Sequence, residues 1–127
     1  MQNKMKQHRV VIAALVVITG VSWLGLREYH CKLRGAAFAQ EVEGIKRDAA
    51  EELKSGTSKT EVIRFFAKHN IPFAMLESEA FGSMRTSGCA PLGCGTDRAF
   101  IGVHVKLDES GRVTEAPKVF GMYQDCL

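Results

Sequence analysis

The sequence predicts an α+β protein: an N-terminal transmembrane helix, then a two-helix hairpin packed on a small antiparallel sheet. Three observations carry this reading. Val10 to Leu26 reads VVIAALVVITGVSWLGL, 17 residues without a charge. Apolar residues recur at helical spacing from Phe38 to Lys54 and again after Ser58. Beyond Pro72 the pattern turns to alternation, clearest from Ala99 to Leu107. The boundaries follow: a basic tail 1–9, an anchor 10–26, a juxtamembrane link 27–37 and a small extracytoplasmic domain 38–127.

As a helix, the apolar stretch covers about 26 Å, at the short end of the spanning range. Trp23 and Tyr29 sit near its outer end, where amphipathic rings favour the headgroup level. A cleaved signal peptide is the rival reading, with Ala37-Phe38-Ala39 as a small-x-small site. Arg27, Glu28, Lys32 and Arg34 separate that site from the apolar run, which favours an uncleaved single-pass anchor. Lys4, Lys6 and Arg9 on one side nearly tie with Arg27, Lys32 and Arg34 on the other. The short basic N-terminus points to N-in, domain out, which places the domain in the periplasm on an inner membrane. Secretion after signal cleavage is the alternative.

Charge excludes some functions. From residue 32 to 127, 13 Lys and Arg balance 13 Asp and Glu, so the formal +3 of the chain belongs to the membrane flank. The domain carries no electrostatic footprint for nucleic acid and no field to steer anionic substrates.

Each element has a local reason. Phe38, Val42, Ile45, Ala49 and Leu53 make one apolar stripe, and Gly56 stands just past its end. Arg27 to Gly35 either continues the membrane helix or forms a link. Ser58-Lys59-Thr60-Glu61 fits a capping box and starts a second helix over 59–69. Asn70 suits a left-handed cap, and Pro72 forbids continuation. Phe73 to Leu76 and Ala80 to Met84 read as short strands. Ala99, Ile101, Val103, Val105 and Leu107 share one face of a longer strand, with Phe100, Gly102, His104 and Lys106 on the other. Asp108 to Gly111 makes a turn. A last strand returns through Arg112–Thr114 and Lys118–Tyr123, with Pro117 marking an edge or a bulge.

The run Gly56-Thr57-Ser58-Lys59-Thr60-Glu61-Val62, a short apolar helix and then Asn70-Ile71-Pro72 resembles the small outer-membrane assembly lipoproteins of the SmpA/OmlA type and the related β-lactamase-inhibitor-like folds. The resemblance covers about 17 residues directly and the α-α-β order loosely. It implies two helices on one face of an antiparallel sheet and action by protein–protein contact. Cys31 has no lipobox before it, Asn70 stands where the pattern has Gly, and the cysteine-bearing loop is foreign to it.

Cys89-Ala-Pro-Leu-Gly-Cys94 lies in a glycine-rich loop, Ser87 to Asp97. A Cys89–Cys94 disulfide stapling that loop is the leading expectation, with Cys126 pairing to either as the next. Cys31 is then left over or joins two chains as a homodimer. Cys89, Cys94 and His104 form the alternative, a metal or thiol site. A Cys–His nucleophile from Cys94 and His104 has nothing local to activate it. The carboxylates form no acid–base pair in the sequence, and no phosphate-cradling loop precedes a helix. No cofactor and no enzymatic activity is expected. The expected role is a non-enzymatic interaction or accessory module of the envelope, with a protein partner. Its contact surface would be the strand face of Phe100, His104 and Lys106, or the cysteine loop. A toxin-immunity or inhibitor protein follows the same logic. A thiol- or metal-dependent envelope enzyme is the competing class.

Overall fold

A run of residues without proline keeps a helix going until something stops it. From Gln2 that stop comes late: in the computed structural model, which describes residues 2–126, α1 runs Gln2–Glu52. Residues 27–37, expected as a link, are therefore helical. Leu33, Ala36 and Ala37 are strong helix formers, and Glu28 and Lys32 pair at i,i+4 across 3.1 Å. The chain divides into two compact units, one ending at Leu33 and one beginning at Arg34.

The first unit is helical throughout its described residues, and its apolar side chains face outward. Val10, Leu15 and Trp23 are 69, 56 and 63% exposed. This stretch is long and apolar enough to cross a membrane. Its Thr19 hydroxyl donates to the Leu15 carbonyl at 2.9 Å, so that polar group is satisfied within the helix. The Arg27 guanidinium lies 5.9 Å from the Trp23 ring centroid.

The second unit holds the C-terminal part of α1, the helix α2 (Lys59–Lys68) and four strands: β1 (Phe73–Met75), β2 (Glu79–Ser87), β3 (Arg98–Lys106) and β4 (Lys118–Tyr123). The start of α2 is the capping box expected from Ser58 and Glu61. The Glu61 amide donates to the Ser58 hydroxyl, and the Glu61 carboxylate accepts from the Ser58 amide at 2.9 Å. That backbone hydrogen bond is the main reason the Glu61 carboxyl is held below its ordinary range. Asn70 takes a left-handed φ of 53°, which lets the chain leave the helix toward Pro72.

The strands form an antiparallel meander in the order β1-β2-β3-β4. Register decides which side chains share a face. Met75, Ala80 and Val105 line up, as do Phe73, Gly82, Val103 and Val119. This face is covered by Phe38, Ile45, Ala49 and Leu53 of α1 and its C-terminal end, and by Val62, Phe65 and Phe66 of α2. Ala99, Ile101, Val103 and Val105 of β3 are wholly buried beneath them. The Phe66 ring stacks on Phe73 at 4.9 Å and passes so close to Gly82 that a methyl there would stand 2.4 Å from it. Glycine is thus required at 82 by packing.

The loops correct the expected strand bounds. Arg112–Thr114 is not part of β4; it makes isolated bridges, Ser58 with Arg112 and Leu107 with Val113, before Pro117 lets the chain re-enter the sheet. The turn at Asp108 is as expected. Its carboxylate accepts from the Ser110 hydroxyl at 2.7 Å and from the Arg112 amide at 2.9 Å, and these bonds lower its pKa. Gly111 supplies the positive φ.

Burying a phenylalanine is worth roughly 1.5–3 kcal/mol, and removing one leaves a cavity as well. Phe66→Ala should therefore cost about 3–5 kcal/mol in a denaturant melt. Met122→Ala, on the uncovered face of β4, should stay within about 0.5 kcal/mol.

Candidate functional site: the open face of the sheet

Alternation gives the sheet a second face, and among the described residues of this unit no helix covers it. Glu79, Phe81 and Arg85 of β2, Arg98, Phe100, Gly102, His104 and Lys106 of β3, and Lys118, Phe120 and Met122 of β4 project there by register. Phe81, Phe120 and Met122 are 43, 36 and 50% exposed. Phe100 is half-buried between its cross-strand neighbours Arg85 and Met122. Gly102 opposes Phe120, and the Phe120 ring lies over it; a Cβ there would come within 2.4 Å of the ring. The glycine therefore lets an aromatic ring lie down on the sheet surface.

The charges on this face are paired mainly at the end of Glu79, His104 and Lys106, and the arginines at the other end are left open. Nε2 of His104 is 2.7 Å from Oε2 of Glu79. Nζ of Lys106 is 3.1 Å from Oε1 of Glu115, and this bond holds the Glu115 carboxyl below its ordinary range. Among the described residues, no carboxylate stands at ion-pair distance from Arg85, Arg98 or Lys118.

Phe100, His104 and Lys106 thus share one open face. Phe81, Phe120 and Met122 belong to it as well and were not singled out from sequence. The signal was present in β4, where Lys118, Phe120 and Met122 alternate, but the neighbouring Val119 and Tyr123 obscured it.

The cysteine loop departs from the leading expectation and follows the second, in which Cys126 takes one of its cysteines. Cys94 is bonded to Cys126, not to Cys89. After β4 the chain runs back antiparallel beside Cys94, with the Gly95 amide donating to the Asp125 carbonyl at 3.3 Å, and this brings Cys126 opposite. Cys94 also closes a tight turn by donating to the Pro91 carbonyl, with Gly93 at a φ of +103°. The Cys89 amide donates to the Tyr123 hydroxyl at 3.3 Å. No described cysteine is free, so the expectation that Cys31 is left over for a second chain does not hold.

The set Cys89, Cys94 and His104 is not assembled. Cys94 is consumed by its disulfide, His104 is held by Glu79, and His104 lies six residue steps, about 20 Å of strand, from Arg98 at the loop's edge. A different group of donors does converge. Asp48, Glu52 and His69 bring ligand atoms within 4.8 Å of one another. The Lys68 ammonium already bonds Glu52, which raises the Lys68 pKa, and Nε2 of His69 faces Oδ2 of Asp48 at 3.6 Å. This is a charge clasp between α1 and α2, with lysine supplying the positive charge.

A disulfide that closes 32 residues of sequence should stabilise the fold by roughly 3–4 kcal/mol in the chain-entropy account. The double variant Cys94→Ser/Cys126→Ser should lose about that much in a melt under non-reducing conditions.

No protein-family profile matches this chain, and no curated protein or solved structure matches it.

Proposed function

We propose that the protein is a membrane-tethered binding module of an oxidising envelope compartment, and that it grips a protein partner with the open face of its sheet. The observation that supports this best is the contiguous set Phe81, Phe100, Phe120 and Met122, exposed or half-exposed on a sheet whose other face is sealed. An uncovered cluster of large apolar side chains rimmed by charges is the usual mark of an interaction surface. On this reading the apolar N-terminal stretch is an uncleaved anchor with its basic end inside and the domain in the periplasm. The C-terminal part of α1 and α2 act as a helical hairpin whose task is to stiffen the sheet from behind. The disulfide chemistry fits an exported domain. The resemblance to the outer-membrane assembly lipoproteins and β-lactamase-inhibitor-like folds is consistent with action by contact rather than catalysis.

The test is site-specific photo-crosslinking in living cells. A benzophenone amino acid replaces Phe120 or Met122 on the open face, and Ile63 on the exposed side of α2. The open-face positions should give a discrete adduct of higher mass in the membrane fraction, and position 63 should give none. Equal adducts from both faces, or adducts only from position 63, overturn the reading.

A further inference from the structure

The proposed binding face also carries a chemical signature of what it binds, and this step rests on that reading. From residue 34 onward the sequence holds 12 Lys and Arg and 13 Asp and Glu, so the unit as a whole is slightly acidic. The strand positions of the open face run the other way. They carry Arg85, Arg98, Lys106 and Lys118 against one carboxylate, Glu79. His104 takes Glu79, and Glu115 takes Lys106. Arg85 and Arg98 therefore remain without an acidic partner among the described residues; Lys118 makes no ion pair, but its charge helps Lys106 lower the Glu115 pKa.

These three are not scattered. Arg85 lies directly across from Phe100, and Arg98 is two residues before Phe100 on the same face. Together they line a shallow hollow of about 430 Å³. Lys118 lines a second hollow of about 360 Å³ with Phe81, Phe120 and the Glu79–His104 pair. Phe100 and His104 mark the two hollows along β3, four residues apart, which is about 13 Å of strand. The first hollow sets two unpaired arginines beside the Phe100 ring, and the second sets Lys118 beside the Phe81 and Phe120 rings and the Glu79–His104 pair. The strand positions of this face carry more cations than carboxylates, which makes a second copy of the same face a poor electrostatic match.

We infer that the occupant is an acidic protein segment with interspersed apolar side chains. Its carboxylates meet Arg85 and Arg98 at one end and Lys118 at the other, and an apolar side chain rests on the Phe81–Phe120 shelf. Arginine suits the first position because its planar fork matches a carboxylate.

The test uses the full chain in nanodiscs made from a zwitterionic lipid. A random 12-residue peptide display library is selected on it, then enriched clones are synthesised and their affinities measured at two salt concentrations. Three variants serve as controls: Arg85→Glu/Arg98→Glu, Lys118→Glu and Phe120→Asp. All alter exposed positions, and circular dichroism confirms that each folds. The enriched peptides should carry net negative charge and at least one aromatic or large aliphatic residue. Their affinity should fall at least tenfold with Arg85→Glu/Arg98→Glu and with Phe120→Asp, fall with Lys118→Glu, and weaken at high salt. Peptides that need Phe120 but are neutral or basic, and ignore the arginine swap, overturn the acidic-segment inference and leave the binding face standing. Peptides indifferent to all three variants overturn both. Selective binding to anionic vesicles, with no peptide enrichment, also overturns it in favour of a lipid surface.

Discussion

Everything in the second unit depends on how β3 divides the sheet. The strand is central, paired on both sides, and its side chains alternate with a period of two. Ala99, Ile101, Val103 and Val105 are small or β-branched and wholly buried, so the helices can approach closely and seal that face. The same alternation forces Phe100, His104 and Lys106 onto the other side. A slip of one residue would exchange the two sets, so burial on one face fixes what the other displays.

Stiffness on the sealed side is distributed over several small devices. The Phe66–Phe73 stack fits only because residue 82 is glycine. The capping box fixes the first turn of α2, and the Asp48–His69 and Glu52–Lys68 contacts link the helices. The surface ion pairs add little alone, in the range of about 0–1 kcal/mol each. Their geometric role is to keep α2 over β1 and β2. At the far end the Cys94–Cys126 bond ties the chain beyond β4 to the β2–β3 loop. A sheet of four strands held this firmly from one side can leave its other side bare.

Local signals in the sequence were strong where one residue pattern has one physical outcome. The capping box at Ser58 and Glu61, the left-handed Asn70, the Asp108–Gly111 turn and the alternation of β3 all form as their residues require. Residues 27–37 were less clear, because their mixed charges read equally as a link and as an exposed helix; the helix wins because nothing in the stretch breaks it. The Cys94–Cys126 pairing was among the alternatives the sequence left open, but nothing local ranked it first. Cys89 and Cys94 are close in sequence, but the partner of Cys94 is set by the path of the chain after β4, a long-range fact. The open face was half legible. Phe100, His104 and Lys106 follow from alternation in β3, whereas Phe81, Phe120 and Met122 join them only through the registers of the neighbouring strands.

On the proposed function, one face of the sheet is closed by the protein itself and the other by a partner. Hydroxyl-radical footprinting reads both at once, by comparing the purified full chain with the same chain in its native membranes. Phe65 and Phe66 should stay unmodified in both samples. Phe81, Phe120 and Met122 should oxidise readily in the purified protein and be protected several-fold in the membranes. Equal modification of those three residues in the two samples would contradict the proposed function.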